Sequence, residues 1–202
     1  MKKTLLAIAL FFTGLLAVNA QVSFKPGVRG GLNFATLTQT ESDYKTDFYV
    51  GIFGELKLGR FYTMQPEIIY TNQGASNVMV GRYDYNQGQT ITERRDLTFT
   101  YISLSLVNKF NLPSGVNFHI GPTFDIEANT NYYSNSGVDL AFVFGIGYNI
   151  TNDLAIEARL KKGIVDVYYS DYYDDYYYYY HNDYHTNFLF QLGLSYTFSL
   201  KE

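Results

Sequence analysis

Six carboxylates and five cationic side chains recur at odd-numbered positions of segments whose even-numbered positions are large and apolar. The acids are Glu55, Glu67, Asp125, Glu127, Asp139 and Glu157. The bases are Arg29, Lys57, Lys109, Arg159 and Lys161. Acids and bases in near balance on one face can pair into a salt-bridge network that fills an interior, because an unpaired charge held away from water is costly. Unpaired, the same groups could line a gated or weakly conducting pore. The near balance favours filling. Counting residues from the nearest turns places Lys57, Lys109 and Arg29 toward the turn end, and Arg159, Lys161, Glu55 and Glu67 mid-way.

Three further groups bear on chemistry. Asp125, Glu127 and Asp139 fall near the opposite end on neighbouring segments. Three close carboxylates could hold Ca²⁺ through oxygen, although a hydrated acidic rim is the plainer reading and no metal or cofactor is expected. A second group is the segment from Tyr168 to His185, which carries Tyr172, Tyr173, Tyr176, Tyr177, Tyr178, Tyr179 and Tyr180. Tyrosine offers large amphipathic contact area at low entropic cost, so these seven are candidates for a surface that recognises an extracellular protein or glycan. The competing reading is a compositionally biased loop with an interfacial tyrosine belt. Histidine is the third. His119 lies about three residues from a tight turn, the wrong place for a catalytic histidine of a membrane hydrolase. His181 and His185 are four apart with no helix to bring them onto one face for zinc, while either of them beside a loop aspartate leaves a hydrolase open.

The elements that must position these groups are strands. The stretch from Phe188 to Phe198 alternates large apolar residues at even positions with small or polar ones at odd positions, a period of two. The pattern recurs in eight candidate strands, roughly 27–36, 47–58, 61–71, 97–110, 116–128, 138–150, 154–166 and 186–199. Each exceeds the usual soluble strand of about 5–6 residues and suits the ~9–11 that a tilted membrane-spanning strand needs. The connections alternate. Gly59-Arg60, Asn111–Gly115 and Thr151–Asp153 are tight. The links at 37–46, 72–96, 129–137 and 167–185 are long and polar. That asymmetry is the one outer-membrane barrels show, with short periplasmic turns.

Alternation alone does not say which face is inside. A lipocalin-like barrel would bury the apolar face. An eight-stranded barrel, however, has room for little more than one layer of interior side chains, and the even face carries far too many large residues for that. Glycines such as Gly31, Gly51, Gly121, Gly145 and Gly193 stand on the odd face and suit a narrow lumen. The even face is therefore expected to meet lipid and the charged face the lumen. Phase falters once: Leu97, Phe99 and Tyr101 are apolar at odd positions, followed by Ile102, Leu104 and Leu106 at even ones. Either a β-bulge lies near Thr100 or Tyr101, or Leu97 and Phe99 lie above the membrane, where phase matters less.

Lys2 and Lys3, the apolar run Leu5–Ala17 and the small residues of Val18-Asn19-Ala20 read as a secretory signal peptide cleaved between Ala20 and Gln21, leaving one domain over 21–202. The run is shorter than the ~20 residues of a spanning helix. There is no cysteine, which excludes disulfides and thiolate metal sites. A net charge of −4 argues against a nucleic-acid partner.

Several stretches resemble the PorT-like outer-membrane β-barrel family of the Bacteroidota, also described as a porin family. Pro26-Gly27-Val28-Arg29-Gly30-Gly31-Leu32-Asn33-Phe34-Ala35 is similar to its glycine-rich opening strand. Gln65-Pro66-Glu67-Ile68-Ile69-Tyr70, followed by Gly74-Ala75, resembles the third strand. Tyr101–Phe110 resembles the fourth, with Ser105 where a proline is usual. Gly121-Pro122 and Gln191-Leu192-Gly193-Leu194 complete the likeness. It spans the mature chain and implies an eight-stranded barrel in the outer membrane, tied in some members to protein secretion or gliding. No catalytic or binding residue carries over, because the shared motifs are structural.

The expectation is an all-β, eight-stranded antiparallel up-and-down transmembrane barrel, OmpA-like in architecture. It is expected to be a monomer in outer-membrane lipid, inserted by the barrel-insertion machinery. It is not expected to be an enzyme. Its work is expected to be structural or interactive, through the long loops. A narrow porin-like channel is the alternative, and an outer-membrane hydrolase a more remote one.

Overall fold

The computed structural model describes residues 23–84, 88–168 and 184–199. The signal-peptide reading over 1–20 and the tyrosines from Tyr172 to Tyr180 lie outside the described residues, as does His181. Eight antiparallel strands close into one ring in chain order. They are β1 (Ser23–Leu37), β2 (Lys45–Lys57), β3 (Tyr62–Asp84), β4 (Gln89–Asn111), β5 (Val116–Thr130), β6 (Val138–Asn149), β7 (Leu154–Gly163) and β8 (Asn187–Thr197). The ring closes where β8 pairs with β1, from Gly27↔Thr197 to Leu37↔Asn187. Closure gives every strand two neighbours, as hydrocarbon requires of backbone donors and acceptors.

Parity holds around the ring. Val28, Ile52, Ile68, Leu104, Phe124, Phe144, Ile156 and Leu194 point outward and are exposed, while Arg29, Glu67, Ser103, Asp125, Val143, Glu157 and Ser195 are buried inside. Aromatic pairs flank the apolar belt. Tyr62 and Phe110 meet at a tilt with centroids 5.6 Å apart near the tight turns, and Phe34 and Phe190 lie 6.0 Å apart toward the long loops. Such girdles mark the two interfaces of a membrane barrel. Proline is tolerated at local cost. Pairing of β2 with β3 lapses between Phe53↔Glu67 and Leu56↔Met64, where Pro66 has no N–H to offer.

Three expectations are corrected. Residues 72–84 and 89–96 are not a polar loop: they extend β3 and β4 into a hairpin that continues past the pairing partners of its neighbours. Nor does β4 change phase. Leu97, Phe99 and Tyr101 are 1%, 0% and 0% exposed and point inward, like Ser103, Val107 and Lys109 below them. What changes along β4 is the chemistry of the interior, from polar to apolar. A bulge does sit opposite Thr100 and Tyr101, but on β5, where the register jumps from Asn129 to Glu127. The bulge that flips parity lies in β3 between Ala75 and Val78, around Asn77 at φ 58°, so that Val78 and Val80 turn inward at even positions. Third, Lys162 is a charge on the even face, its Cα opposite Phe142 and Phe188.

Candidate functional site

The interior is built in tiers, and the strands contribute through their odd positions, except β3 beyond its bulge, where Val78 and Val80 point inward. Nearest the tight turns, Lys109 Nζ donates to Glu55 Oε1 at 2.9 Å. At mid-height two arginines and two glutamates from three strands, β1, β3 and β7, form a closed square. Arg29 Nη1 donates to Glu67 Oε1 at 2.9 Å, and its Nη2 stands 3.0 Å from Glu157 Oε2. Arg159 Nη1 donates to both oxygens of Glu67 at 3.0 Å, and its Nη2 lies 3.3 Å from Glu157 Oε2. Four opposite charges cancel, and none is more than 4% exposed. Guanidinium suits this place because its rigid fork can meet two carboxylates at once.

Uncharged groups complete the square. Gln65 Nε2 donates to Glu67 Oε1 at 2.7 Å and Ser195 Oγ to Glu157 Oε1 at 2.9 Å. Tyr49 lies under Arg29, whose guanidinium carbon is 5.4 Å from the ring centroid. His119 belongs here too. Arg159 Nε donates to its Nδ1 at 3.0 Å. An arginine N–H can only donate, so Nδ1 is bare and the ring proton sits on Nε2, which donates to Asn117 Oδ1 at 2.6 Å. The imidazole is a neutral bridge in the wall of the network. Glycine makes room for these side chains: a Cβ on Gly193 would stand 2.2 Å from Tyr49 Oη.

Above the square, Lys161 pairs with Asp125, which also accepts from Gln73 Nε2 at 2.9 Å and Thr123 Oγ1 at 2.8 Å. Asp139 follows, accepting from Asn187 Nδ2 at 3.2 Å and from the Val165 N–H at 3.3 Å. The tier closest to the long loops is apolar. Leu37, Ala75, Val78, Val80, Leu97, Phe99, Tyr101 and Val167 form one buried cluster with Tyr168. Between the tiers the free space is small. A cavity of about 20 Å³ beside Arg29, Tyr49, Thr71 and Arg159 has room for about one water. Another of about 60 Å³ lies at the turn end beside Glu55, Lys109 and Asp153.

Of the eleven charged positions singled out in the sequence, eight enter ion pairs: Arg29, Glu55, Glu67, Lys109, Asp125, Glu157, Arg159 and Lys161. Three do not. Lys57 ends β2 and is exposed, Glu127 is half-buried, and Asp139 is held by hydrogen bonds alone. None of the three has an ion pair among the described residues. Heights are corrected as well. Arg29 belongs to the mid-height square and Glu55 to the turn end. Strands of a barrel are tilted and staggered, so a count from a strand's own turn does not measure height. Among the described residues no three acidic or histidine side chains are gathered to hold a metal, which leaves the Asp125–Glu127–Asp139 calcium site unformed. The reading missed Tyr49, Gln65, Gln73, Asn117 and His119 as network members. All five stand at odd positions, and parity was the signal that could have found them.

A closed eight-stranded barrel with an apolar outer belt, aromatic girdles and a polar, ion-paired interior defines a transmembrane barrel of the outer-membrane class. The family model for the outer membrane protein beta-barrel domain matches residues 4–198, and the chain belongs to that family. Comparison with curated proteins returns no match. Among solved structures, the chain is similar to Neisserial surface protein A at 13% identity, with a TM-score of 0.51 over 88% of this chain and 99% of that one. It is also similar to Ail, the attachment invasion locus protein of Yersinia pestis, at 12% identity, with a TM-score of 0.46 over 87% and 97%. OprG of Pseudomonas aeruginosa aligns at 10% identity and a TM-score of 0.46 over 89% and 98%. These likenesses concern the fold, and the protein is an outer-membrane β-barrel.

Proposed function

We propose that this barrel is closed to ions and solutes and acts as a membrane-embedded scaffold whose loop end meets an extracellular protein or glycan. The observation that carries this reading is the square of Arg29, Glu67, Arg159 and Glu157, which joins β1, β3 and β7 across the lumen. The apolar cluster around Phe99 and Tyr101 adds a dry tier at the mouth. In this reading the tight turns face the periplasm and the long hairpin and Tyr-rich segment face outward. The chain is PorT-like, exported by its signal peptide, folded by the barrel-insertion machinery, and works as a monomer without catalysis.

Planar-bilayer recording tests closure. The purified protein should give no large, steady, ion-selective conductance; such a conductance would establish the narrow-channel alternative. Deleting residues 170–183 tests the interaction. Binding to cells, glycans or surface proteins should fall, and unchanged binding would remove the tyrosines from the proposal. The hydrolase alternative is tested by an ester and peptide substrate screen.

A further inference from the structure

We propose that the outer wall carries a binding site for the phosphate of an anionic membrane lipid, built from Lys162 with Thr38 and Thr186. The inference requires that the apolar belt sit in lipid; which leaflet it engages follows from the orientation proposed above.

The surroundings of Lys162 set the problem. Its Cα partners are Phe142 on β6 and Phe188 on β8. Along its own chain the outward neighbours are Leu160 and Ile164, 46% and 57% exposed, and Phe142 is 46% exposed. An ammonium among such neighbours is poorly solvated, so the flexible stem turns toward the polar edge. Here it reaches the hydroxyls of Thr186 and Thr38, the latter at 3.4 Å. Those hydroxyls are fixed beforehand. The two Oγ1 atoms lie 2.9 Å apart, the Thr186 N–H donates to Thr38 Oγ1 at 3.1 Å, and the Thr38 N–H donates to Thr186 O at 3.0 Å.

Lys162 enters no ion pair among the described residues: every one of theirs involves other groups, no described carboxylate stands within 4 Å of its Nζ, and Asp139 acts on it only from beyond that distance. Two of its three donors find hydroxyl oxygens, and the third has no acceptor among the described residues. A phosphate supplies both the missing charge and several acceptor oxygens, and lysine binds it as a point charge. A free phosphate would leave the flanking wall unused. A lipid brings acyl chains that lie along Phe142, Phe188 and Leu160 while its headgroup meets Lys162.

Native mass spectrometry of the folded protein in zwitterionic detergent tests this, with dimyristoyl phosphatidic acid, dimyristoyl phosphatidylcholine and inorganic phosphate as probes. The wild type should retain phosphatidic acid about five-fold more strongly than phosphatidylcholine, the effect of one interfacial lysine. Lys162→Met should erase that preference, Thr186→Val should weaken it, and Lys57→Met at the opposite end should keep it. Lys162→Met replaces a wall charge with an apolar chain, and heat-modifiable gel migration verifies its fold. Preference retained in Lys162→Met overturns the site. Inorganic phosphate displacing the lipid at equal concentration overturns the lipid as its occupant. Neither result depends on conductance or on loop binding, so failure here is separate from failure of the closed-scaffold reading.

Discussion

Arg159 donates three hydrogen bonds of 3.0 Å to Glu67, although 92 residues separate them in the chain. β7 and β3 are not adjacent in the ring, so this contact crosses the lumen and braces opposite walls. The same guanidinium reaches Glu157 on its own strand and His119 on β5, so Arg159 ties three groups from three strands together.

Arg159→Met should therefore cost about 3–5 kcal/mol, because it leaves Glu67 and Glu157 buried with half their counter-charge. Urea unfolding followed by heat-modifiable gel mobility measures it. Arg159→Lys should recover only part of the loss, since an ammonium cannot span both carboxylates and the imidazole. Equal stability of all three proteins would show that the square does not hold the barrel together.

Removing both partners should open a path. The double variant Glu67→Ala with Arg159→Ala vacates mid-lumen side chains without leaving a lone charge between those two positions. Its single-channel conductance in a planar bilayer should exceed that of the wild type, which is expected to be silent. If the variant is equally silent, the apolar tier above, rather than the ionic one, is what closes the lumen.

The two faces of β4 should answer differently to substitution. Phe99→Ala empties a buried position and should cost about 3–5 kcal/mol. Leu104→Arg puts a charge on the lipid face and should cost about 2–4 kcal/mol in a bilayer, yet much less in a detergent that lets the guanidinium reach water. Comparing the stability of both variants in vesicles and in micelles checks the assignment. A bilayer-dependent penalty at Phe99 instead of Leu104 would reverse the faces.

Gly193→Ala should destabilise by about 1–3 kcal/mol through overpacking, since the added Cβ meets both Tyr49 Oη and, at 2.4 Å, the Gly30 carbonyl oxygen. Tyr49→Phe in the same background should relieve only the first clash. Thermal unfolding of the two proteins against Tyr49→Phe alone reads the difference.

Much of this was legible in the residues themselves. A period of two is a local property, so the alternation from Phe188 to Phe198 was enough to separate the two faces of β8, and the small room inside eight strands then put Gln191 inside and Leu192 outside. The count of eight strands and the three tight turns followed from the same local signal. So did the membership of Arg29, Glu67, Glu157 and Arg159 in an ionic interior.

Partnership was not legible. Which acid meets which base depends on how far each strand slides past the next, and that stagger is a property of the closed ring. It moved Arg29 to the central square, gave Glu55 to Lys109, and left Lys57 outside. The apolar tier was hidden for a related reason. Leu97, Phe99 and Tyr101 looked like lipid-facing residues out of phase, because hydrophobicity alone cannot distinguish a wall turned to lipid from a lumen sealed by its own side chains. The unbroken parity of β4 turns them inward, and the bulge at Asn77 swings Val78 and Val80 inward to meet them. The sequence by itself determined an alternating eight-stranded barrel with charge on one face, because side-chain direction is set residue by residue. The tertiary structure decided where the lumen is ionic and where it is dry, because those contacts join strands that only closure brings together.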